Sequence, residues 1–148
     1  MMRHRFAKSA AMMGFYWVIS FLIPLPALSV EKIESPVRDA SVTRAQFTTG
    51  ISDREPIDSL VKVKNSITSL YYFTELHNLQ GRTVSHRWEH DGRVISEVSF
   101  LVEGPRWRVF SKKTLDPDML GKWTVFVIDE SGWPIYASIF EYTDSSDN

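Results

Sequence analysis

The sequence predicts an all-β fold, an immunoglobulin-like antiparallel β-sandwich of about seven strands formed by residues 42–142 of the 148. Short runs rich in β-branched and aromatic residues recur along the chain, and clusters of Gly, Pro and Asp separate them. No stretch has the period of an amphipathic helix. Strands that follow one another without crossover helices pair antiparallel, which favours a sandwich.

The first predicted strand, residues 44–50, alternates in polarity. Ala45, Phe47 and Thr49 share one side, and polar residues occupy the other, which is typical of a half-buried strand. A charged turn at residues 53–58 and a short edge strand at residues 61–64 follow. The remaining predicted strands are residues 67–76, 82–89, 93–102, 106–111, 123–129 and 135–142.

Several of these strands are apolar on both faces, although a two-layer sandwich buries only one face of each sheet. Tyr71 and Phe73, for example, alternate with Leu70 and Tyr72. We expect the excess side chains either to form an exposed recognition patch or to be covered by residues 52–64 or residues 111–120.

The hairpin around Asp91 and Gly92 allows a prediction of register. A three-residue loop with Gly92 in the left-handed conformation separates the polar and apolar faces better than a two-residue turn does. It pairs Trp88 with Val94, His86 with Ser96 and Val84 with Val98. It also places Val84, His86, Trp88, Val94, Val98, Phe100 and Val102 in the core, and Ser85 among the residues that face water.

The amino terminus is typical of a secretory signal. A basic start with Arg3, Arg5 and Lys8 precedes an uncharged apolar run that ends at Pro24, and small residues precede a predicted cleavage after Ser29. We expect residues 1–29 to be the signal peptide, residues 30–41 a linker and residues 143–148 a disordered tail. The domain would then be periplasmic or secreted. The alternative is an uncleaved segment that anchors the protein to the inner membrane.

Composition narrows the classes of partner. Without residues 1–29 the chain has 14 Lys and Arg against 18 Asp and Glu, and the basic residues are scattered, which argues against nucleic acid. The chain has no Cys, so disulfides and thiolate metal sites are excluded.

The histidines and loop carboxylates are candidate site residues. His86 and His90 lie about 13 Å apart on one strand, too far to share an ion, so we interpret His86 as a core histidine bonded to Ser96 or a backbone carbonyl. The acidic clusters at residues 53–58, 116–118 and 129–130 predict solvated turns, with calcium as the alternative; they lack calcium-loop spacing. No cofactor or metal is predicted.

Residues 104–110 (GPRWRVF) are the most suggestive segment. If Trp107 and Val109 pack inward, Arg106 and Arg108 project from the opposite face about 6.6 Å apart, beside Arg87 or Glu97. They then form either an ion-paired outer face or a site for a carboxylate, sulfate or phosphate group. We expect both arginines to be replaceable without loss of folding, because exposed ion pairs contribute only ~0–1 kcal/mol.

Several blocks together resemble the bacterial domain-of-unknown-function family 2914. They are residues 44–48 (RAQFT), 54–58 (REPID), 72–76 (YFTEL), 83–89 (TVSHRWE), 104–109 (GPRWRV), 121–125 (GKWTV) and 132–133 (GW). The resemblance covers nearly all of the chain that follows the predicted signal peptide. It implies an exported or membrane-tethered bacterial β-domain, and it brings no established catalytic residues.

No catalytic signature is readable, so an enzyme is not expected. The predicted function is a non-catalytic binding module of the bacterial envelope that docks to a protein partner. The alternative is a glycan- or peptidoglycan-binding domain that uses exposed aromatics and arginines. The candidate binding residues are Arg106, Arg108, Trp107 and Arg87.

Overall fold

The computed structural model describes residues 40–146, which contain ten β-strands and no helix. The strands are β1 (Ser41–Thr48), β2 (Ile51–Ser52), β3 (Glu55–Pro56), β4 (Lys62–Lys64), β5 (Ser69–His77), β6 (Thr83–His90), β7 (Arg93–Leu101), β8 (Arg106–Thr114), β9 (Gly121–Asp129) and β10 (Pro134–Thr143). No helix of this part of the chain is long and apolar enough to cross a bilayer. The predicted signal peptide and all of the predicted linker but residues 40 and 41 lie outside the described residues.

Two sheets pack against each other, which confirms the predicted all-β sandwich. The smaller sheet has the order β1-β5-β8 and the larger has the order β4-β10-β9-β6-β7, while β2 and β3 form a separate short hairpin. This arrangement is compatible with an immunoglobulin-like sandwich. It is not wholly antiparallel, because β4 pairs parallel with β10. At this point the chain crosses from one sheet to the other: Leu60 N donates to Phe47 O of β1, and Val61 O accepts from Glu141 N of β10.

All eight predicted strands are present, with shifted ends. The structure adds the β2–β3 hairpin, which overlaps the predicted charged turn and in which Asp53 and Arg54 both adopt positive φ, 48° and 63°. The predicted linker ends one residue too late, because Ser41 already belongs to β1. The predicted disordered tail begins too early. Thr143 is the last residue of β10, and Ser145 N donates to the side-chain oxygen of Asn65.

Aromatic side chains fill the space between the sheets. The Phe47 ring of the smaller sheet lies 4.7 Å from the Phe140 ring and 6.1 Å from the Trp88 ring of the larger sheet, measured between centroids. Trp123 stacks on Phe140 with an interplanar angle of 10°. Large rings bury much apolar area each, so they stabilise a sandwich that has no disulfides.

The predicted hairpin register is wrong. Asp91 and Gly92, with φ of 46° and 78°, form a two-residue turn closed by the pair His90 and Arg93. The extra residue lies in β7 instead, where Ile95 is a bulge between the pairs Glu89–Val94 and Trp88–Ser96.

The bulge changes the partners and the exposed residues of the hairpin. It pairs His86 with Val98 and Val84 with Phe100, and it leaves Val94 and Val98 56% and 37% exposed, where the prediction buried them. Ser85 is buried and hydrogen-bonds Ser99, where the prediction placed it in water. Val84, His86, Trp88 and Val102 are buried as predicted, and Gly92 has the predicted positive φ.

The excess apolar side chains divide between covered and exposed positions. Phe73, on the outer face of β5, is fully buried, and the Arg44 guanidinium lies 5.0 Å from its ring centroid. Ile139 and Tyr136 on β10 remain 55% and 43% exposed. Exposed apolar side chains remain on both sheets, because Phe110 on β8 of the smaller sheet is also 41% exposed. The guanidinium over Phe73 comes from β1, which neither of the two predicted covering segments contains.

Candidate functional site

A buried carboxylate at the centre of the smaller sheet organises the candidate site. Glu75 lies on the outer face of β5, the middle strand, and is only 3% exposed. Strand register places Arg44 of β1 and Arg108 of β8 directly opposite Glu75 on either side. Since directly opposed side chains in a sheet are neighbours, the pairing itself brings one carboxylate between two guanidinium groups.

Glu75 accepts hydrogen bonds from several cationic donors. Arg106 binds it in bidentate fashion, with Nε 2.9 Å from Oε1 and Nη2 3.0 Å from Oε2. Arg108 Nε donates to Oε2 at 3.0 Å, and Arg44 Nη1 lies 3.6 Å from the same oxygen. His77 Nε2 is 3.0 Å from Oε1. Bidentate guanidinium–carboxylate pairs are among the strongest and most directional hydrogen bonds in proteins.

These donors hold the pKa of the Glu75 carboxyl well below its usual range, chiefly through the hydrogen bonds from Arg106 and then those from His77 and Arg108, while burial acts in the opposite direction. The carboxylate therefore stays ionised in the folded protein. A charge that is this well paired is a structural element, and its position fixes the arginines that surround it.

A second carboxylate extends the network from the β2–β3 hairpin. Glu55 Oε2 accepts from Arg44 Nη2 at 2.8 Å, and Glu55 Oε1 lies 2.9 Å from Arg108 Nη1. The hydrogen bond from Arg44 lowers the pKa of the Glu55 carboxyl. The hairpin is thereby tied onto the outer face of the smaller sheet by two guanidinium groups.

The turn of the same hairpin carries a fourth arginine to the site. The Arg54 guanidinium lies 5.4 Å from the centroid of the Trp107 ring, a cation–π geometry. Gly104 lies below the ring: a Cβ at this position would be 3.3 Å from Trp107 Cε3. Trp107 is half-buried, packs against the core and is held between backbone and guanidinium.

Arg54, Arg106, Trp107 and Arg108 line an open pocket of about 210 Å³, which we call the arginine pocket. The ion-pair network around it has the guanidinium groups of Arg44, Arg106 and Arg108 against two carboxylates, and Arg54 adds a further positive charge that pairs with no described carboxylate. Arg106 remains 59% exposed in its side chain. A surface with excess guanidinium donors beside a partly covered indole ring suits a planar anionic group such as a carboxylate.

The structure brings three of the four predicted site residues together. Arg106, Trp107 and Arg108 share the arginine pocket, and Val109 packs inward as predicted. Arg87 does not belong to the site. It lies on β6 of the other sheet, where its Nε donates to Glu97 Oε2 at 2.9 Å, so the predicted ridge beside Arg87 or Glu97 is wrong.

The expectation that Arg106 and Arg108 are dispensable for folding also needs correction. It treated both as members of exposed ion pairs, yet both bind the buried carboxylate of Glu75. Removal of both would leave that carboxylate poorly paired, which costs free energy of folding. Arg54 does not bind Glu75, so a substitution there is the better test of ligand binding.

His86 is a core histidine, as predicted, but with other partners. Its Nε2 and Nδ1 each lie 2.9 Å from a hydroxyl, those of Thr74 and Ser111 on the smaller sheet. Trp88 Nε1 also donates to Ser111 Oγ, at 3.0 Å. Complete burial lowers the pKa of His86 to about 3, so the ring is neutral at physiological pH.

The carboxylates of the acidic turns accept hydrogen bonds from nearby residues. Asp58 Oδ1 accepts from the Thr48 hydroxyl at 2.6 Å and from Thr49 N at 2.7 Å. Asp129 Oδ1 accepts from Ser131 and from Trp133 N, and Asp116 Oδ1 accepts from Asp118 N. Over residues 40–146 no three His, Asp or Glu side chains gather in a way that could hold a metal ion.

Comparison with known proteins identifies one part of the chain. Residues 81–142 match the family described as "Protein of unknown function (DUF2914)". This segment belongs to the DUF2914 family. It runs from two residues before β6 to Tyr142, the last residue but one of β10. The DUF2914 segment therefore contains Arg106, Trp107 and Arg108 but not Arg54, Glu55 or Glu75. The resembling blocks at residues 44–76 lie outside the match. No curated protein matches the chain.

Sequence reasoning missed Arg44, Arg54, Glu55 and Glu75. One signal was present for Glu75: it is the single acidic residue in a largely apolar strand, and a buried carboxylate is found almost only with a partner. The alternation of residues 71–77 places Glu75 and Phe73 on one face. The partner arginines, however, depend on which strands flank β5, and local sequence does not determine that order.

Proposed function

We propose that this domain is an exported, non-catalytic binding module of the bacterial envelope that docks to a protein partner through an acidic segment of that partner. The arginine pocket carries the proposal. Arg54 holds a guanidinium with no carboxylate partner among the described residues, directly above Trp107 and beside Arg106.

The geometry favours an extended segment over a single small ion. Arg106 and Arg108 follow one strand and their Cα atoms are two residues apart, a spacing of about 6.6 Å that matches alternate side chains of an extended peptide. Alternate carboxylates of such a segment could each meet a guanidinium group. Exposed arginines of this kind act mainly on association rate and specificity, and salt screens them.

A neutral glycan fits the pocket less well. Sugar rings bind by stacking on an open aromatic face, whereas the Trp107 ring is already covered by Arg54 and lies against Gly104. The export of the domain is supported by the basic start and apolar run of residues 1–29.

Binding of defined peptides tests the proposal. The probe is a blocked heptapeptide with Glu at alternate positions and Ser between them. Its control, the Gln twin, carries Gln in place of each Glu. Binding is measured by the Trp fluorescence of the full chain. We expect the Glu peptide to bind, the Gln twin to bind at least about tenfold more weakly, and affinity to fall as salt is raised.

Two variants separate the pocket from general charge. Arg54→Gln should weaken binding of the Glu peptide, while Arg87→Gln, which removes an equal charge from the other sheet, should not. Equal losses in both variants would show nonspecific attraction and overturn the proposal. Binding of a peptidoglycan disaccharide fragment in preference to the Glu peptide would favour the glycan alternative instead.

A further inference from the structure

Strand β10 has an edge that is only partly occupied. β9 pairs with it along its length on one side, whereas on the other side β4 pairs only with Glu141–Thr143. Over residues 40–146 no strand continues β4 along the rest of this edge. An unpaired strand edge presents backbone donors and acceptors that can pair with another chain.

The direction of the backbone groups follows from the bonds that are made. Glu141 N donates to Val61 O and Thr143 O accepts from Asn65 N, so the odd-numbered residues of β10 point their backbone groups away from β9. The bulge of this strand lies between Pro134 and Tyr136, before the regular part. Ala137 and Ile139 therefore direct two N–H and two C=O groups at the open edge.

An uncharged groove runs beside this open edge. It has a volume of about 250 Å³ and is lined by residues 45–47 of β1, residues 59–61 and residues 136–139 of β10, none of which carries a charge. Ile139 and Tyr136 are among the most exposed apolar side chains of the domain. The opposite edge of the same sheet, β7, is instead interrupted by the Ile95 bulge and carries Arg93 and Glu97, features that discourage pairing.

We propose that an uncharged, extended segment of a partner protein adds to the larger sheet at Ala137 and Ile139, in line with β4, and lays its side chains in this groove. Residues 61–64 already occupy the same edge, which shows that it accepts an extended chain. The absence of charge from the groove lining selects an uncharged segment, and main-chain hydrogen bonds supply the affinity. The open edge belongs to the larger sheet, whereas the arginine pocket lies at β8 of the smaller sheet, and the two pockets share no lining residue, so this proposal does not depend on the arginine pocket.

Hydrogen exchange with a defined peptide tests the proposal on the full chain. The probe is a blocked heptapeptide of alternating Thr and Val; one twin carries Lys for Thr, and another carries Pro at two central positions. We expect the probe to slow exchange of the Ala137 and Ile139 amides at least about fivefold, with no slowing at β7 and none with either twin.

Two variants locate the effect. Ala137→Pro removes a donor on the open side but none of the bonds to β9, so the protein should fold and bind the probe at least about tenfold more weakly. Ile139→Lys places a charge beside the edge and should do the same if the proline is not tolerated. The arginine-pocket variant Arg54→Gln should bind the probe normally.

Three results would contradict the proposed addition of a partner strand. No slowing at Ala137 and Ile139, or equal slowing at β7, would overturn the proposal. Slow exchange at both amides in the protein alone would also overturn it. Sedimentation would then show whether a second copy, in a dimer, or another part of the same chain, in a monomer, occupies the edge.

Discussion

Arg106 and Glu75 form two parallel hydrogen bonds, and the two residues differ sharply in exposure: the arginine side chain is 59% exposed and the glutamate side chain 4%. The pair thus links a solvent-facing cation to a charge inside the protein. The same guanidinium can reach a ligand with its Nη1 group, which has no hydrogen-bond partner among the described residues. In the proposed binding mode, the fold and the partner would therefore use different donors of one side chain.

Replacement of Glu75 should destabilise the fold more than replacement of Glu55. Glu75→Gln removes the negative charge that three arginine hydrogen bonds share and replaces one of its two acceptor oxygens with an NH2 donor, and we expect a loss of about 1–3 kcal/mol in unfolding free energy. Glu55→Gln, at a half-exposed position of the same network, should leave the urea midpoint nearly unchanged. Equal midpoints for the two variants would contradict the structural role of Glu75.

Arg54→Gly should separate stability from binding. Arg54 holds a left-handed backbone conformation with φ of 63°, which costs a non-glycine residue free energy. Glycine there should raise the unfolding free energy by about 0.5–1 kcal/mol while it weakens binding of the Glu peptide. Arg54→Gln keeps the strain and loses the charge, so it should weaken binding without a gain in stability. A destabilised glycine variant would show that the contact with Trp107 outweighs the strain.

Ser111→Ala should cost more than Ser85→Ala, although both hydroxyls are buried. Ser111 Oγ is the partner of both His86 Nδ1 and Trp88 Nε1, so its removal leaves two buried ring nitrogens unpaired, at an expected cost of about 2–4 kcal/mol. Ser85 Oγ has one partner, Ser99 Oγ, on the outer face of the larger sheet. Chemical denaturation of both variants measures the difference, and similar losses would argue against Ser111 as the shared partner of the two ring nitrogens.

Stability should fall with acidification below pH 6.5, in part because of His86. The folded pKa of about 3 lies below the unfolded value of 6.5, so between these values the unfolded state binds the additional proton and is favoured. The slope should approach, at most, about 1.4 kcal/mol per pH unit. A comparison of the slopes of wild type and His86→Gln between pH 6.5 and 5, above the range in which carboxylates titrate, isolates this contribution. Identical slopes would contradict it.

Gly92→Val should destabilise the β6–β7 hairpin through backbone strain alone. Gly92 has φ of 78°, and no atom beyond its two chain neighbours lies within 4 Å of the position a Cβ would occupy, so crowding by other residues plays no part. We expect a loss of about 1–2 kcal/mol. Gly92→Asn, which tolerates the left-handed region, should lose clearly less. Equal losses in thermal unfolding would point to a cause other than φ.

The sequence predicted where the strands lie better than it predicted how they pair with one another. Alternation and turn residues located all eight longer strands, because these signals are local. The bulge at Ile95 was missed since one extra residue inside β7 leaves the composition of the strand unchanged, yet it moves every following partner. The same limit explains why Arg87 was wrongly predicted to join the site. Like Arg106 it precedes a tryptophan in the sequence, but it belongs to the other sheet.

For a related reason, the sequence predicted only some of the residues of the candidate site. Arg106, Trp107 and Arg108 were found because they lie together in the chain, whereas Glu75 and Arg44 join them through strand order. Arg54 reaches Trp107 through a two-residue turn whose central residues, Asp and Arg, are not the usual Asn and Gly. Residue pattern alone does not predict that hairpin.

Two arginines of the arginine pocket, Arg106 and Arg108, are held by Glu75 on the middle strand of their sheet. β5 is hydrogen-bonded on both sides, and its consecutive residues Thr74 and Glu75 engage the core histidine and the arginines on opposite faces. A ligand at this pocket would meet a surface that is already rigid before contact and would spend little free energy on ordering it. Association should therefore resemble the meeting of two preformed shapes, limited by encounter and not by rearrangement of this domain.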